Sequence, residues 1–415
     1  MRRLPALKLF YALEVLLSMP TWVVVSIYLV RDLHLSPLQL VLMGTAMEAA
    51  VFLFEVPTGV VADTYSRRAS LVVGFLGMGL SWMLVGVVSS PTAVIALWAC
   101  WGVSYTFTSG AYQAWLADEI GVEKLGPALL RGARFGFVGS LAGLGALVAL
   151  STVSLRAAVI TGGAITFVCG IATLFLMPEH GFTRVPRAER GAPWRGLAAT
   201  ASAGARFVRA RTLLLLLVAS EVFSGMSSEA YDRLKEAHVL RDIGLPTAVS
   251  LTPTEWFGAV AALATVFGFL VVGVLIRRIE RRGTSQVARV LVALLVAVFV
   301  AELLFARAGA FGLALTAMLV ITLARSLLAP VYMTWLNQQI TDSSVRATVI
   351  SIAGQADAVG QAAGGPALGA IGNAWGIRAA LTAGALVLLP ALGFYGRALR
   401  HDGREPELDA LPVAT

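Results

Sequence analysis

The sequence predicts an all-α membrane protein with twelve transmembrane helices, arranged as two pseudo-symmetric six-helix bundles. Its 415 residues are 58% hydrophobic and only 13% charged, whereas an average soluble domain is about 45–50% apolar and about 25% charged. Twelve apolar stretches reach the roughly 20 residues that a helix needs to cross a bilayer. An internal repeat divides these stretches into two halves. Together, these observations exclude a water-soluble globular protein.

The apolar stretches are bounded by charged residues or by Gly, Pro and Ser, which are typical of loops. The first stretch runs directly into Arg31-Asp32 without a small-residue cleavage pattern. We therefore expect it to remain as a helix rather than to be removed as a signal peptide. The spans are predicted at residues 8–30, 38–62, 69–88, 92–117, 132–151, 155–177, 212–238, 255–276, 286–306, 309–336, 346–372 and 376–399.

The distribution of basic residues predicts the orientation of the chain. With both termini in the cytoplasm, most of the 32 lysines and arginines fall in inner segments, as the positive-inside rule requires. The net charge of +8 is then a topological signal, so nucleic acid is set aside as a partner. We expect a multi-pass protein of the plasma (cytoplasmic) membrane, monomeric in the lipid bilayer.

The longest hydrophilic stretch separates the first six spans from the last six. It predicts an N-terminal bundle at residues 1–177, a cytoplasmic linker at 178–211, a C-terminal bundle at 212–399 and a cytoplasmic tail at 400–415. Residues 195–209 of the linker form either an amphipathic helix on the membrane surface or part of a flexible basic segment.

Three pairs of similar segments occur in the same order in the two halves, which indicates an internal repeat. In the third pair, Tyr112 and Trp115 correspond to Tyr332 and Trp335. The pairs are residues 14–19 with 221–226, 29–35 with 239–245, and 111–120 with 331–340.

The loop after span 2 carries a recognisable motif. Gly59 is followed by Asp63 and then by the basic pair Arg67-Arg68. This spacing closely resembles the loop 2–3 signature of the major facilitator superfamily, and with the repeat the resemblance covers essentially the whole chain. The motif departs from the family at Ser66, where a Gly is usual, so a less permissive turn is expected there.

The resemblance implies a secondary transporter that works by alternating access around a midplane cavity, with the proton gradient and no cofactor. It also implies a gate at the cytoplasmic rim that holds the outward-facing state. We expect Arg67 or Arg68 to pair with Asp118 at the end of span 4, and Asp63 to face the start of span 11 at residues 342–346. The alternative is a topogenic loop without a gating role. The gating residues are Gly59, Asp63, Arg67, Arg68 and Asp118.

Ionisable residues within the spans are costly in hydrocarbon and are typical of cavities or buried pairs. With one buried arginine against several acids, some carboxyls are expected to be protonated, because desolvation disfavours the charged form. The alternative for each acid is a structural hydrogen bond or an ion pair with the arginine. The predicted proton-coupling and cavity residues are Glu14, Glu221, Glu229, Asp357 and Arg325.

Aromatic and amide residues on spans 4 and 10 complete the predicted cavity, since aromatic faces attract organic cations. Glycine-rich stretches in spans 5 and 11 are expected to let helices approach closely and move against each other. The substrate-cavity candidates are Tyr112, Gln113, Tyr332, Asn337 and Gln338.

The function favoured is proton-coupled export of amphipathic or cationic small molecules, as in the drug-efflux antiporters. An importer or facilitator of a polar or anionic metabolite (a sugar, organic acid or nucleoside) is the alternative, because Arg325 is a natural anchor for an anion. A non-transporting membrane scaffold or sensor is the third candidate function.

An enzyme is not expected, since the sequence has no Gly-rich phosphate loop and its four histidines form no metal or catalytic pattern.

Overall fold

The computed structural model describes residues 3–183, 202, 204–247, 249–280, 284–340 and 346–402, and within these ranges the secondary structure is helical. The first eight helices are α1 Arg3–Ser18, α2 Trp22–Arg31, α3 Pro37–Thr64, α4 Arg67–Val85, α5 Pro91–Thr106, α6 Ala111–Ile120, α7 Val122–Val153 and α8 Leu155–Leu176. The remaining helices are α9 Thr212–His238, which continues as a π-helical turn at Val239–Ile243, α10 Pro253–Glu280, α11 Thr284–Arg307, α12 Phe311–Gln339, α13 Arg346–Trp375, α14 Ile377–Leu386 and α15 Leu388–Asp402.

Each of the twelve predicted spans lies on one of these helices or on a pair of consecutive ones. Among the described residues, nine such segments are long and apolar enough to cross a membrane by themselves. The predicted linker helix lies mostly outside the described residues, although residues 204–209 are helical. Residues 341–345, which directly precede span 11, also lie outside them.

Three spans consist of two helices each, and in span 12 these are α14 and α15, which are separated only by Val387. Span 1 is divided into α1 and α2 at residues 19–21, where Pro20 cannot donate a backbone hydrogen bond. Span 4 is divided into α5 and α6 after Thr106. There the hydroxyls of Thr106 and Thr108 donate to the carbonyls of Val103 and Tyr105, at 2.7 and 2.8 Å, and such bonds compete with the helical ladder.

Serine and proline mark where helices begin. Ser36 and Gln39 form a capping box before α3, with bonds of 2.9 and 3.3 Å, and Pro37 takes the first helical position. Ser154 caps α8 by accepting from the backbone N–H of Ala157 at 3.1 Å. Caps satisfy N–H groups that have no partner inside the helix.

The helices group into two compact units. The first contains α1–α8 together with residues 247–262, and the second contains residues 197–246 and the chain from residue 263 onward. In the first unit, α7 packs against α1, and in the second α13 packs against α9.

Glycines permit these two close approaches. A Cβ at Gly139 would meet the backbone of Val15, and one at Gly360 would meet the backbone of Val222. Val15 and Val222 occupy corresponding places in the repeated segments 14–19 and 221–226, so the repeat found in the sequence is also a repeat of packing.

Candidate functional site

A cavity of about 330 Å³ lies within the second unit. One face of α9 supplies a polar stripe to it, because Glu221, Ser224, Ser228 and Asp232 follow one another at intervals of three or four residues. The other walls come from α11, α12, α13 and α15. They contribute Leu295, Val298, Arg325, Leu328, Ala329, Tyr332, Met333, Asp357, Leu388 and Tyr395.

Arg325 is held between two carboxylates on neighbouring helices. Its Nη1 lies 3.0 Å from Oδ1 of Asp232, and its Nη2 lies 2.8 Å from Oε1 of Glu302. The Glu302 side chain is only 3% exposed and also accepts from the Ser227 hydroxyl at 2.9 Å. The guanidinium stands 5.0 Å from the centre of the Tyr231 ring. Arg325 is therefore fixed in place and its charge is already matched.

The opposite end of the cavity carries two further carboxylates. Oε1 of Glu221 accepts from the Tyr395 hydroxyl at 2.9 Å, and Oδ2 of Asp357 accepts from the Gln361 amide at 2.8 Å. The Tyr332 hydroxyl donates to the carbonyl of Leu217 at 3.5 Å. Each of these two carboxylates thus accepts a hydrogen bond from a neutral donor. Each can therefore also take up a proton or bind a positively charged ligand.

The first unit repeats this local arrangement around Glu14. The Tyr112 hydroxyl donates at 3.4 Å to the carbonyl of Phe10, which precedes Glu14 by four residues, as Leu217 precedes Glu221. Tyr112 also faces the Glu14 carboxylate. Tyr112 and Tyr332 thus donate to equivalent backbone carbonyls in the two halves of the repeat.

The cytoplasmic-rim motif is organised around Arg67. Its Nε lies 2.7 Å from Oδ2 of Asp118, and its Nη1 lies 3.2 Å from Oδ1 of Asp63 at the end of α3. The ring of Phe182 lies 5.7 Å from the guanidinium. Burial raises the pKa of the Asp118 carboxyl above its ordinary value, and the adjacent Arg67 acts in the opposite direction.

Ser66 links this motif to the chain that follows α8. Its hydroxyl accepts from the backbone N–H of Ala69 at 3.0 Å, which caps α4, and it lies 2.8 Å from Oε2 of Glu179. Oε1 of Glu179 accepts from the backbone N–H of Arg68 at 2.9 Å. A carboxylate at the first turn of a helix is favourable, because the free N–H groups there carry partial positive charge.

The end of α6 holds the same segment by further bonds. Oε1 of Glu119 accepts from the backbone N–H groups of His180 and Gly181 at 2.6 and 2.8 Å. The indole of Trp115 donates to the carbonyl of Pro178 at 2.7 Å. Residues 178–181 are thereby fixed to the ends of α4 and α6.

The family model described as Major Facilitator Superfamily matches residues 9–336. The chain belongs to the major facilitator superfamily. With its apolar helices, the chain is a multi-pass membrane protein of this transporter family.

Other comparisons agree with this family. The chain is 30% identical over 109 residues to YxaM of Bacillus subtilis (strain 168), described as an uncharacterized MFS-type transporter. That alignment covers 25% of this chain and 27% of YxaM, so the chain matches only about a quarter of that relative's length.

Two solved structures share the fold. One is a mutant of the nucleoside transporter NupG, at 15% identity and a TM-score of 0.75, covering 97% of this chain and 98% of NupG. The other is a bacterial homologue of the human lysosomal transporter Spinster in an inward-facing, unoccupied conformation, at 15% identity and a TM-score of 0.75, covering 96% and 97% of the two chains. At this identity the likeness shows the fold alone.

In this major facilitator protein, some of the predicted site residues border the second-unit cavity and others do not. Glu221, Asp357, Arg325 and Tyr332 border the cavity of the second unit. Glu229 lies away from it, since its side chain is 1% exposed and Oε1 lies 3.2 Å from Nε of Arg233.

Three polar candidates lie apart from the acids. Gln113 is exposed on α6. Asn337 and Gln338 border a shallow depression near the end of α12 together with Arg346, and the Asn337 amide donates to the carbonyl of Met333 in its own helix. These side chains are therefore not brought together with the carboxylates of the second-unit cavity.

The sequence did not single out Asp232 as a site residue, although it borders the cavity and contacts Arg325. Its spacing of eleven residues from Glu221 already placed the two acids on one helical face, and Ser224 and Ser228 on the same face are the further signal for a cavity wall. Tyr395 had no such signal, because only the packing of α15 against α9 brings it to Glu221.

Proposed function

We propose that this protein is a proton-coupled secondary transporter that exports amphipathic or cationic small molecules by alternating access. It acts as a monomer in the plasma membrane with both termini in the cytoplasm. The observation that carries the proposal is the charge of the second-unit cavity. Glu221, Asp232 and Asp357 line it, whereas Arg325 is the one basic residue among its described lining.

This charge pattern favours a cation over an anion. Arg325 already contacts two carboxylates, so an added anion would compete with both of them. Glu221 and Asp357 have hydroxyl and amide partners, and a carboxylate in the membrane interior needs a proton or a cation to remain there at low cost. Substrate and proton would occupy the same groups in turn, which is the basis of antiport.

The coupling is tested by reconstituting the protein in proteoliposomes and measuring uptake of tetraphenylphosphonium under an imposed pH gradient. We expect uptake that depends on the gradient and that falls at least tenfold in Glu221→Gln. Glu236→Gln changes an acid of the same helix outside the cavity lining and should retain uptake. Uptake that is indifferent to the pH gradient would refute the coupling.

An importer or facilitator of a polar metabolite is the second candidate. The hydroxyls of Ser224 and Ser228 on the cavity wall favour it, since hydroxyl groups recognise uncharged polar ligands. NupG is named as a nucleoside transporter, but the likeness to it is one of fold. Transport of an uncharged sugar or nucleoside without a pH gradient would support this candidate. For a charged substrate, Arg325→Gln should abolish transport of an anionic metabolite and spare transport of a cation. Absence of any transport would point to the scaffold or sensor.

A further inference from the structure

The polar stripe of α9 places a carboxylate near each end of the cavity. Glu221 and Asp232 are eleven residues apart on one continuous helix, so their backbone positions are about 16 Å apart along its axis. Ser224 and Ser228 lie between them on the same face. The stripe is therefore acidic at both ends and neutral in the middle.

Asp232 is open to a ligand even though it contacts Arg325. Its side chain is 48% exposed, and the two basic side chains within 4 Å, Arg325 and Lys235, approach the same oxygen, Oδ1, at 3.0 and 3.9 Å. Arg325 has a second anchor in the buried Glu302. A ligand cation can thus bind Asp232 while Arg325 stays attached to the bundle.

The other end offers a different cation site. Glu221 and Asp357 both border the cavity there, beside the rings of Tyr332 and Tyr395, which meet edge to face with centroids 6.5 Å apart. Aromatic faces and carboxylates are the groups that bind ammonium ligands. Arg325 is the one basic residue of the described lining, and it contacts Asp232 directly rather than Glu221 or Asp357.

We infer that the cavity binds an elongated molecule with a cationic group at each end, the two groups separated by roughly 10–16 Å. This inference rests on the proposed function, because it names the substrate class of the same site. One cationic group binds Glu221 and Asp357, and the other binds Asp232. The connecting chain lies along Ser224, Ser228 and the apolar wall of Leu295, Val298 and Leu328.

The test uses bis(trimethylammonium) alkanes with two to twelve methylene groups, because quaternary nitrogens stay charged at every pH. Alkyltrimethylammonium ions of matching chain length are the monocationic controls. Dissociation constants are measured by calorimetry on the full-length purified protein. We expect affinity to rise with chain length to an optimum at about ten methylenes, at least tenfold tighter than both the two-methylene member and the matched monocation.

Variants then assign the two ends. Glu221→Gln and Asp232→Asn should each reduce binding of the optimal dication to the level of the monocation, whereas Glu236→Gln should not change it. Equal binding of dications and matched monocations, or affinity that does not depend on spacing, would overturn the inference and leave the proposed function standing. Failure of every cation to bind or to be transported would instead refute the proposed function.

Discussion

At the scale of single residues, Ser66 shows how a departure from the family motif is used. The usual glycine has no side chain, whereas the Ser66 hydroxyl caps α4 and contacts Glu179. The backbone of Ser66 is extended, with φ at −175°, so the serine is accommodated without strain. An extended backbone is open to any residue, so this position does not require glycine.

Ser66→Ala should lower the free energy of unfolding by about 1 kcal/mol, because it removes a capping acceptor. Ser66→Gly should cost only a few tenths of a kcal/mol in capping. The measurement is chemical denaturation in detergent. Ser154→Ala removes the cap of α8 and serves as the control for capping alone. An equal effect of Ser66→Ala and Ser66→Gly would contradict the capping role.

At the scale of the helices, the glycines of α7 and α13 decide which helices can pack. Gly139 and Gly360 lie where an added Cβ would meet the backbone of α1 or α9, while Gly145 on α7 and Gly354 on α13 have open space. A glycine-rich sequence therefore contains contact positions and neutral positions. Only the structure distinguishes them, since the partner helix is distant in the chain.

Gly139→Ala and Gly360→Ala should each destabilise the protein by about 1–3 kcal/mol, as is typical of overpacking against backbone that cannot move aside. Gly145→Ala and Gly354→Ala are the matched controls. They should be neutral or stabilising by up to about 1 kcal/mol, because alanine is the better helix former. Thermal unfolding of the four variants is the measurement, and a uniform response would contradict the assigned contacts.

At the scale of the whole molecule, the motif at the cytoplasmic rim is the feature that the family associates with gating. The predicted pair between this motif and Asp118 is present through Arg67, whereas Arg68 lies near Glu179 and the carbonyl of Met177. The predicted contact of Asp63 with residues 342–346 involves positions that lie largely outside the described residues. The gating role therefore remains a proposal.

Arg67→Gln should reduce the transport rate at least tenfold while leaving cation affinity within about twofold, because it removes the pair with Asp118 but does not touch the cavity. Proteoliposome uptake and calorimetry give the two quantities. Arg131→Gln changes an exposed basic residue and should affect neither. A parallel loss of affinity and rate in Arg67→Gln would show a structural role instead.

The membrane class, the helical spans and the internal repeat can all be predicted from the sequence alone. These properties depend on the local excess of apolar residues and on similarity between segments, both of which are readable along the chain. The sequence also singled out Glu221, Asp357 and Arg325, because ionisable side chains are rare in apolar spans and stand out; all three border the second-unit cavity, and their role in transport stays a prediction.

The pairing of those charged side chains could be seen only in the folded protein. There, Asp232 and Glu302 both contact Arg325, and Glu229 contacts Arg233. The Tyr395 hydroxyl donates to Glu221. The physical reason is that ion pairs and hydrogen bonds form over about 3 Å between residues distant in sequence. Which partner each acid meets depends on helix packing, whereas the presence of an acid in a span is a property of composition.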